Sequence, residues 1–335
     1  MASAPGSRGE DGRSGLASPA TAVLSVVTPV YMNARDLPAL ASRLSEASAR
    51  TGAARTEFVF VDDGSPDGSF AVLAGLARGD ERVRALRLSR NFGSNAAILA
   101  GLTRAAGNVV AVIAADLQDP PELIPEMFKR WSEGAEVVLA ARRRRDDPPV
   151  TRIFAAAFNR LFRRLVFRDF PRDGFDFVLL DRRVVDHLVS MPEKHSYLFG
   201  QIMWLGFRRA VVLYDREARP HGRSAWTFAR KVKYFIDAFT AFSYLPVRLA
   251  SVTGFALAFL GFVYAGLVIV LRLAGDIQAR GFAALMVVIL VASGTQLIVT
   301  GILGEYLWRV LEEVRPRPPF VVAEEVGGTG GQGHR

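Results

Sequence analysis

Five short runs of β-branched or apolar residues recur in the first 140 residues of the chain, and helical patterns lie between most of them. The predicted strands are Val23–Thr28, Glu57–Val61, Val83–Leu88, Val109–Ile113 and Glu136–Leu139. Strands that alternate with helices form mainly parallel sheets with helices on both faces. The sequence therefore predicts an α/β domain with a Rossmann-like, doubly wound sheet.

Polar residues follow each predicted strand directly. In a parallel sheet the carboxyl ends of the strands share one edge, where ligands bind. The residues concerned are Pro29, Tyr31 and Asn33, then Asp62 and Asp63, then Arg90, Asn91 and Gly93, then Asp116, Gln118 and Asp119, and finally Arg142 and Arg145. We expect a site of mixed charge, in which carboxylate and amide oxygens hold a hard divalent cation and arginines bind phosphate.

Several classes of site are excluded. The chain contains no cysteine, which rules out a disulfide framework, a thiolate zinc site and a cysteine nucleophile. It has no Gly-rich loop ending in Gly-Lys-Ser/Thr and no Gly-x-Gly-x-x-Gly after the first strand, so neither a P-loop nor a dinucleotide fold is indicated. His187, His195 and His221 lack the spacing of metal ligands.

The net charge of +9 is concentrated in two stretches, Arg142–Arg172 and Arg208–Lys233. Such basic stretches suit nucleic acid, anionic lipid or a phosphorylated substrate, and a solvated basic surface is the alternative. Within them and just after the second, apolar residues follow helical spacing: Phe154, Phe158, Leu161 and Leu165, and then Phe228, Val232, Phe235, Phe239 and Phe242. Basic amphipathic helices are typical of the membrane interface, whereas packing on the sheet is the alternative.

Two long runs carry no formal charge: Leu249–Leu271, with 23 residues, and Gly281–Gly304, with 24. A membrane-spanning helix needs about 20 apolar residues, and core helices seldom stay apolar on every face for that length. We expect a transmembrane hairpin with both chain ends on one side. The basic stretches make that side cytoplasmic.

The motifs at the predicted sheet edge resemble those of GT-A glycosyltransferases of family 2. The narrower similarity is to polyprenyl-phosphate glycosyltransferases of the dolichol-phosphate mannosyltransferase-like group, in their bacterial form with two C-terminal transmembrane helices. It covers roughly residues 23–322. The matching segments are Val26–Tyr31, Val61–Ser65, Leu88–Gly93, Ala115–Glu122, Gly174–Phe177, the set Arg216, Arg219, Gly222, Ser224 and Trp226, and Gly304–Leu307.

This resemblance implies an inverting transfer of a sugar from a nucleotide-sugar, UDP- or GDP-linked, to a membrane polyprenyl phosphate. The implied donor-binding residues are Pro29, Tyr31, Asp62, Asp63, Arg90, Asn91, Gly93, Asp116 and Gln118. Asp116 and Gln118 would lie at a Mg²⁺ or Mn²⁺ ion. The expected acceptor-binding residues are Arg142, Arg145, Asp176, Arg216, Arg219 and Ser224. The expected catalytic residues are Asp116, Asp119, Arg142, Arg145, Arg216 and Arg219.

One departure from the family pattern concerns the metal. The family has Asp-x-Asp before Leu-Gln, and here Ala114 stands where the first aspartate would be. Mg²⁺ needs only one or two protein carboxylates when substrate phosphates also bind it, so activity remains the main hypothesis. A catalytically impaired membrane scaffold that binds the donor is the alternative. A processive polysaccharide synthase would carry a Gln-x-x-Arg-Trp element, which this chain lacks. A nucleic-acid binder would not need two spanning helices.

Two of the aspartates also have purely structural interpretations. Asp119 could cap the helix that begins with Pro120-Pro121-Glu122, and Asp62 could form an Asx-turn with Gly64. The expected boundaries are a disordered tail at 1–20, the GT-A domain at 21–220, an interface helix at 221–247, the hairpin at 248–310 and a cytoplasmic tail at 311–335. The resemblance further implies a multi-pass protein of the cell membrane, inner or plasma, that forms a homo-oligomer and binds no nucleic acid.

Overall fold

The computed structural model describes residues 18–143, 175–191, 198–215, 245–273, 282–315 and 317–328. The chain divides into two compact units. The first contains an eight-stranded sheet, with described residues up to Asp215 and again from Pro318 onward. The second contains two long helices within Val232–Arg317.

The sheet of the first unit is mixed. Its strands are β1 (Val23–Val30), β2 (Arg55–Asp62), β3 (Val83–Leu88), β4 (Val109–Val112), β5 (Val137–Arg142), β6 (Phe175–Asp181), β7 (Arg209–Tyr214) and β8 (Val322–Gly327), in the spatial order β7-β5-β6-β4-β1-β2-β3-β8. β6 runs antiparallel to both of its neighbours, and β8 runs antiparallel to β3. The other pairs are parallel, so six strands share one direction.

The five strands expected from the sequence are confirmed, and β6, β7 and β8 are additional. The inner strands consist almost wholly of apolar residues because helices cover both faces of the sheet. β4 is Val-Val-Ala-Val, and all four residues are buried. Of the two edge strands, β7 alternates exposed residues with partly or fully buried ones, whereas β8 is mostly exposed. Both therefore leave a weaker sequence signal.

Six shorter helices lie in the described part of the first unit. They are α1 (Leu37–Ala49), α2 (Ser69–Gly79), α3 (Ser94–Arg104), α4 (Ile124–Ser132), α5 (Arg182–Ser190) and α6 (Leu198–Trp204). α1 buries Leu37, Leu40 and Leu44, which follow helical spacing. α4 buries Phe128 and Trp131, and the indole N–H of Trp131 donates to Asp181 at 2.9 Å. These faces form the apolar core that fixes the strand ends.

The strand order places a crevice beside β1. The chain runs from β1 to β2 and β3 on one side, and then returns to place β4 on the other side of β1. In open α/β sheets this reversal leaves a gap between adjacent connections at the carboxyl ends of the strands. The residues that follow β1 and β4 therefore flank one cleft.

The C-terminal strand β8 closes the sheet edge beside β3. The backbone N–H of Ser89 donates to the carbonyl of Val321 at 2.9 Å. Glu325 pairs with Arg84 at 3.6 Å and with Arg104 at 3.3 Å. Residues 311–335 are expected from the sequence to be a tail, yet β8 lies within them and belongs to the sheet.

The second unit is a pair of helices, α7 (Leu245–Leu273) and α8 (Phe282–Val314). Large apolar side chains are exposed on both, with Phe255 at 77% and Phe262 at 79% exposure. Over the residues that the structure describes, no helix is long and apolar enough to cross a membrane.

Candidate functional site

Hydrogen bonds join the loop after β1 to side chains of the segment that follows β2. The backbone N–H of Met32 donates to Ser65 Oγ at 3.0 Å, and that of Asn33 donates to Ser69 Oγ at 3.2 Å. The N–H of Ala34 donates to Asp67 at 3.2 Å. These bonds fix the loop while Tyr31 and Met32 stay exposed, at 40% and 56%. An exposed aromatic ring at a strand end can stack on a flat ligand such as a base.

Asp62 and Asp63 lie beneath this loop and are almost fully buried, with 0% and 3% exposure. Asp62 Oδ1 accepts the N–H of Ser65 at 3.2 Å, whereas its Oδ2 has no hydrogen-bond partner among the described residues. Asp63 accepts the N–H groups of Phe92 and Gly93 at 2.7 and 2.9 Å. Asp63 therefore ties the loop after β3 to the end of β2.

The same loop is also fixed by a close backbone contact. Gly64 has φ of +68°, and a Cβ atom there would lie 2.6 Å from the carbonyl carbon of Arg90. Only glycine fits this position, because a side chain would meet backbone rather than a movable side-chain end. Arg90 and Asn91 remain exposed, with the Arg90 guanidinium 4.0 Å from the centre of the Phe92 ring.

The Asp116-Leu117-Gln118 turn follows β4. The backbone N–H of Gln118 donates to Asp116 Oδ1 at 3.3 Å. Leu117 has φ of +56°, although it is not glycine, and its side chain is buried in the core. A left-handed leucine costs roughly 1–2 kcal/mol, so surrounding contacts must hold the turn. Strain of this kind concentrates at functional sites.

Asp119 connects this turn to the far side of the sheet. It is completely buried, and its carboxylate accepts a hydrogen bond from the hydroxyl of Tyr214 at the end of β7. Arg142, at the end of β5, is 8% exposed, hydrogen-bonds to Tyr214 and forms an ion pair with Asp176. The short helical turn after Asp119 spans Pro121–Leu123, with Pro120 at its cap position and no side-chain cap bond from that residue.

The electrostatics of these buried groups follow from their partners. Burial raises the pKa of the Tyr214 phenol well above its ordinary value, and the negative charge of Asp119 adds to the shift. Burial alone would lower the pKa of Arg142, but Asp176 and Tyr214 outweigh it and raise this pKa above its usual range. Arg142 is therefore a fixed positive charge, and Tyr214 is a permanent hydrogen-bond donor.

Comparisons with known proteins identify the family. Residues 25–189 match the description "Glycosyl transferase family 2". The uncharacterized glycosyltransferase YkcC of Bacillus subtilis is 38% identical over 304 residues, which cover 90% of this chain and 94% of the relative. The chain belongs to glycosyltransferase family 2. The SfII prophage-derived bactoprenol glucosyl transferase of Shigella flexneri is 33% identical over 306 residues, 91% of this chain and 99% of that protein.

One solved structure shows a distant likeness to this family 2 glycosyltransferase. Mannosyl-3-phosphoglycerate synthase from Rubrobacter xylanophilus is 17% identical, with a TM-score of 0.44 and coverage of 77% of both chains. This similarity is too weak to argue from.

The donor atoms of the Asp116 turn fit a metal ion only in part. Asp116 and Gln118 offer one carboxylate and one amide oxygen, and Ala114 offers none. Within the described ranges, no group of three or more His, Cys, Asp or Glu residues is arranged to hold a metal. A hard cation with few protein ligands is typical of sites completed by substrate phosphates. These residues therefore fit an ion shared with a diphosphate and do not fit a closed protein cage.

The structure brings most of the predicted site residues of this glycosyltransferase to one sheet edge. Four of them, Arg145, Arg216, Arg219 and Ser224, lie outside the described residues, as do both predicted amphipathic helices. Tyr214 is not among the site residues expected from the sequence. The signal that could have found it is the alternation in β7, where Val212 and Tyr214 are buried between exposed neighbours just before Arg216.

Asp62 makes a pH-dependent contribution to stability whose sign can be tested. Desolvation raises the pKa of Asp62 above its ordinary value, and the hydrogen bonds from Ser65 offset this only in part. The folded protein then binds this proton more tightly than the unfolded chain, so stability falls as pH rises through the folded-state pKa. We expect Asp62→Asn to gain thermal stability relative to the parent protein as pH rises above about 4.

Asp67→Asn is the control with the opposite sign. Burial tends to raise the pKa of Asp67, but hydrogen bonds from Ser69 and Ala34 outweigh it and lower this pKa. That variant should lose stability relative to the parent only as pH rises toward about 4, because the lowered folded-state pKa lies below that value, and by a smaller amount because Asp67 is exposed. A melting curve of Asp62→Asn that runs parallel to the parent above about pH 4, or one of Asp67→Asn that diverges from the parent there, would contradict the assignment.

Proposed function

We propose that this glycosyltransferase moves a sugar from a UDP- or GDP-linked donor to a polyprenyl phosphate, with inversion at the anomeric carbon. The main observation behind the proposal is that acidic and basic side chains lie together at one sheet edge. Asp119, at the end of the Asp116 turn, is linked through Tyr214 to the buried guanidinium of Arg142. A site with these groups suits a reaction in which two phosphate-bearing substrates must meet. The bactoprenol glucosyl transferase named above supports the choice of acceptor.

The proposed reaction is one displacement. A phosphate oxygen of the acceptor attacks the anomeric carbon of the sugar, and the bond from that carbon to the donor diphosphate breaks. The nucleoside diphosphate leaves with the bonding electrons. A phosphomonoester has a second pKa of about 6, so it is largely dianionic at neutral pH and needs no strong general base. A divalent ion, when bound, would neutralise charge on the leaving diphosphate.

The residues of this chain then have positioning and electrostatic tasks. Asp116 and Gln118 would hold the ion, Mg²⁺ or Mn²⁺, together with the donor diphosphate. Tyr31 would contact the nucleotide, and the exposed Arg90 and Asn91 would contact the donor. Arg142 supplies a fixed positive charge, because Asp176 and Tyr214 hold its guanidinium.

The remaining acceptor residues are proposed from the sequence. Arg145, Arg216, Arg219 and Ser224 would bind the acceptor phosphate. They lie in the two basic stretches of the chain.

We further propose that α7 and α8 insert into the cell membrane and that the catalytic unit is cytoplasmic. Support comes from the uncharged runs Leu249–Leu271 and Gly281–Gly304 and from the exposed Phe255 and Phe262. After α8 the chain rejoins the sheet of the first unit as β8. The full-length protein should float with lipid vesicles in a density gradient after washing with high salt and alkaline carbonate. Recovery in the soluble fraction would reject the insertion.

The activity itself can be tested with membranes that contain the full-length protein. They are incubated with undecaprenyl phosphate, Mg²⁺ or Mn²⁺, and radiolabelled UDP- and GDP-sugars in turn. We expect one donor to give a label that partitions into chloroform, is lost when undecaprenyl phosphate is omitted, and disappears with EDTA. Membranes without the protein are the control. No labelled lipid with any donor, from protein that still binds nucleotide, would reject the transferase.

A catalytically impaired scaffold is the second candidate, and Ala114 is the observation that favours it. One carboxylate that the family pattern supplies is missing, which weakens the metal site. A scaffold would show a donor-induced rise in melting temperature but no lipid product. The two functions therefore differ in the outcome of a single pair of measurements.

A further inference from the structure

A chain of polar side chains crosses the first unit at its carboxyl-end edge. Asp119 and Tyr214 are 0% and 4% exposed, and the hydroxyl of Tyr214 donates to Asp119 Oδ1. The same phenol hydrogen-bonds to Arg142, which in turn pairs with Asp176. This chain joins the loop after β4 to the ends of β7 and β5 and the start of β6.

Packing alone does not account for the tyrosine. Position 214 faces the core on an edge strand, in the alternating pattern that also buries Val212 and exposes Val211 and Leu213. Its ring belongs to the main apolar cluster, where phenylalanine would fill similar space without a hydroxyl to satisfy. What the hydroxyl adds is a bond to Asp119 at the edge of the proposed active site.

The loop that ends at Asp119 needs a contact that holds it in place. Leu117 adopts φ of +56°, a conformation that persists only when neighbouring contacts hold it. On one side of Asp116 and Gln118 the chain enters from β4, whose continuation is fixed by the N–H of Ile113 donating to Val27 at 3.0 Å. On the other side it leaves through Asp119. The Tyr214 hydroxyl contacts this second end directly.

We propose that Tyr214 is a positioning residue that holds the Asp116–Asp119 loop in its reactive conformation through Asp119. This inference rests on the proposed transferase function for its kinetic consequence, but its structural consequence stands apart from it. Asp119, fully buried and bound by the phenol, then acts by fixing the loop and does not accept a proton from a substrate.

The test uses Tyr214→Phe in the full-length protein, which keeps the ring and removes only the hydroxyl. Trp131→Phe is the matched control, since it also deletes an aromatic donor to a buried carboxylate, Asp181, at the opposite edge of the sheet. Both variants should melt below the parent protein. Only Tyr214→Phe should accelerate hydrogen exchange in the peptide that covers residues 113–120.

Kinetics separate positioning from general destabilisation. We expect Tyr214→Phe to lower kcat on the order of 10- to 100-fold, because small misplacements at a reacting centre are costly. The donor KM should change by a smaller factor than kcat, since Tyr31, Arg90 and Asn91 would contact the donor from outside this loop. The double variant Tyr214→Phe/Asp119→Asn should be no slower than Asp119→Asn alone.

Three results would overturn the proposal. They are unchanged exchange of the 113–120 peptide in folded Tyr214→Phe, the same acceleration there in Trp131→Phe, and additive effects in the double variant. If the parent protein makes no sugar lipid with any donor, the transferase fails. The exchange measurement then still decides the role of Tyr214, because it needs neither substrate nor turnover.

Discussion

Asp116→Ala should lower kcat by about 10²–10³-fold while the protein stays folded. The reason is the single carboxylate at the proposed metal position, where Ala114 contributes nothing. With Asp116 removed, Gln118 alone offers an oxygen in the turn, and the leaving diphosphate would lose most of its charge neutralisation. The measurement is formation of labelled sugar lipid over a series of Mg²⁺ or Mn²⁺ concentrations, with melting temperature as a check on folding.

The reciprocal variant, Ala114→Asp, is a sharper control than a second deletion. It restores the family's Asp-x-Asp pattern at a position that is only half-buried. We expect it to lower the metal concentration needed for half-maximal activity by about 10-fold, as an added ligand should. Full activity in Asp116→Ala would refute the metal assignment. Activity that appears only with Ala114→Asp would establish the scaffold interpretation for the natural chain.

Gly64→Ala is expected to have the largest effect on stability. A Cβ atom at Gly64 would lie 2.6 Å from the carbonyl carbon of Arg90 and 2.8 Å from the backbone nitrogen of Asn91. The left-handed φ adds its own penalty. Together these cost ~3 kcal/mol, and the melting temperature should fall by about 10 °C. Because relief requires the Arg90–Asn91 backbone to move, the donor KM should also rise, by about 10-fold or more.

Gly68→Ala separates the cost of a left-handed backbone conformation from the cost of a steric clash. Gly68 has φ of +80°, similar to that of Gly64, but nothing lies within 4 Å of the Cβ that alanine would add. That variant should cost only ~1 kcal/mol and leave the donor KM unchanged. If the two variants melt at the same temperature and bind donor equally, the close contact with Arg90 has no role in the site.

The sheet shows which strands can be recognised from sequence patterns and which cannot. The five predicted strands are mostly apolar because helices cover both faces of the sheet, and such runs are visible in the sequence. β8 could not be found in this way, since Val322–Gly327 contains two glutamates and ends in glycine. It is a strand because it pairs with β3, and its glutamate meets Arg84 and Arg104, which are more than 200 residues away in the sequence.

The site shows the same division. The order of strands and the polar residues after each of them place Tyr31, Asp62, Asp116 and Arg142 at one edge, and this follows from the sequence through the rule for parallel sheets. The sequence did not reveal that both carboxylate oxygens of Asp63 accept hydrogen bonds from the backbone N–H groups of Phe92 and Gly93.

The sequence by itself determined the α/β class, the edge where the site lies, the family and the missing first aspartate at Ala114. Only the tertiary structure decided that Asp119 is bound by Tyr214 and that the chain returns as β8. The physical reason is that strand formation and charge are local properties of the chain. A buried hydrogen bond such as that from Tyr214 to Asp119, by contrast, depends on which distant residues the fold brings within reach.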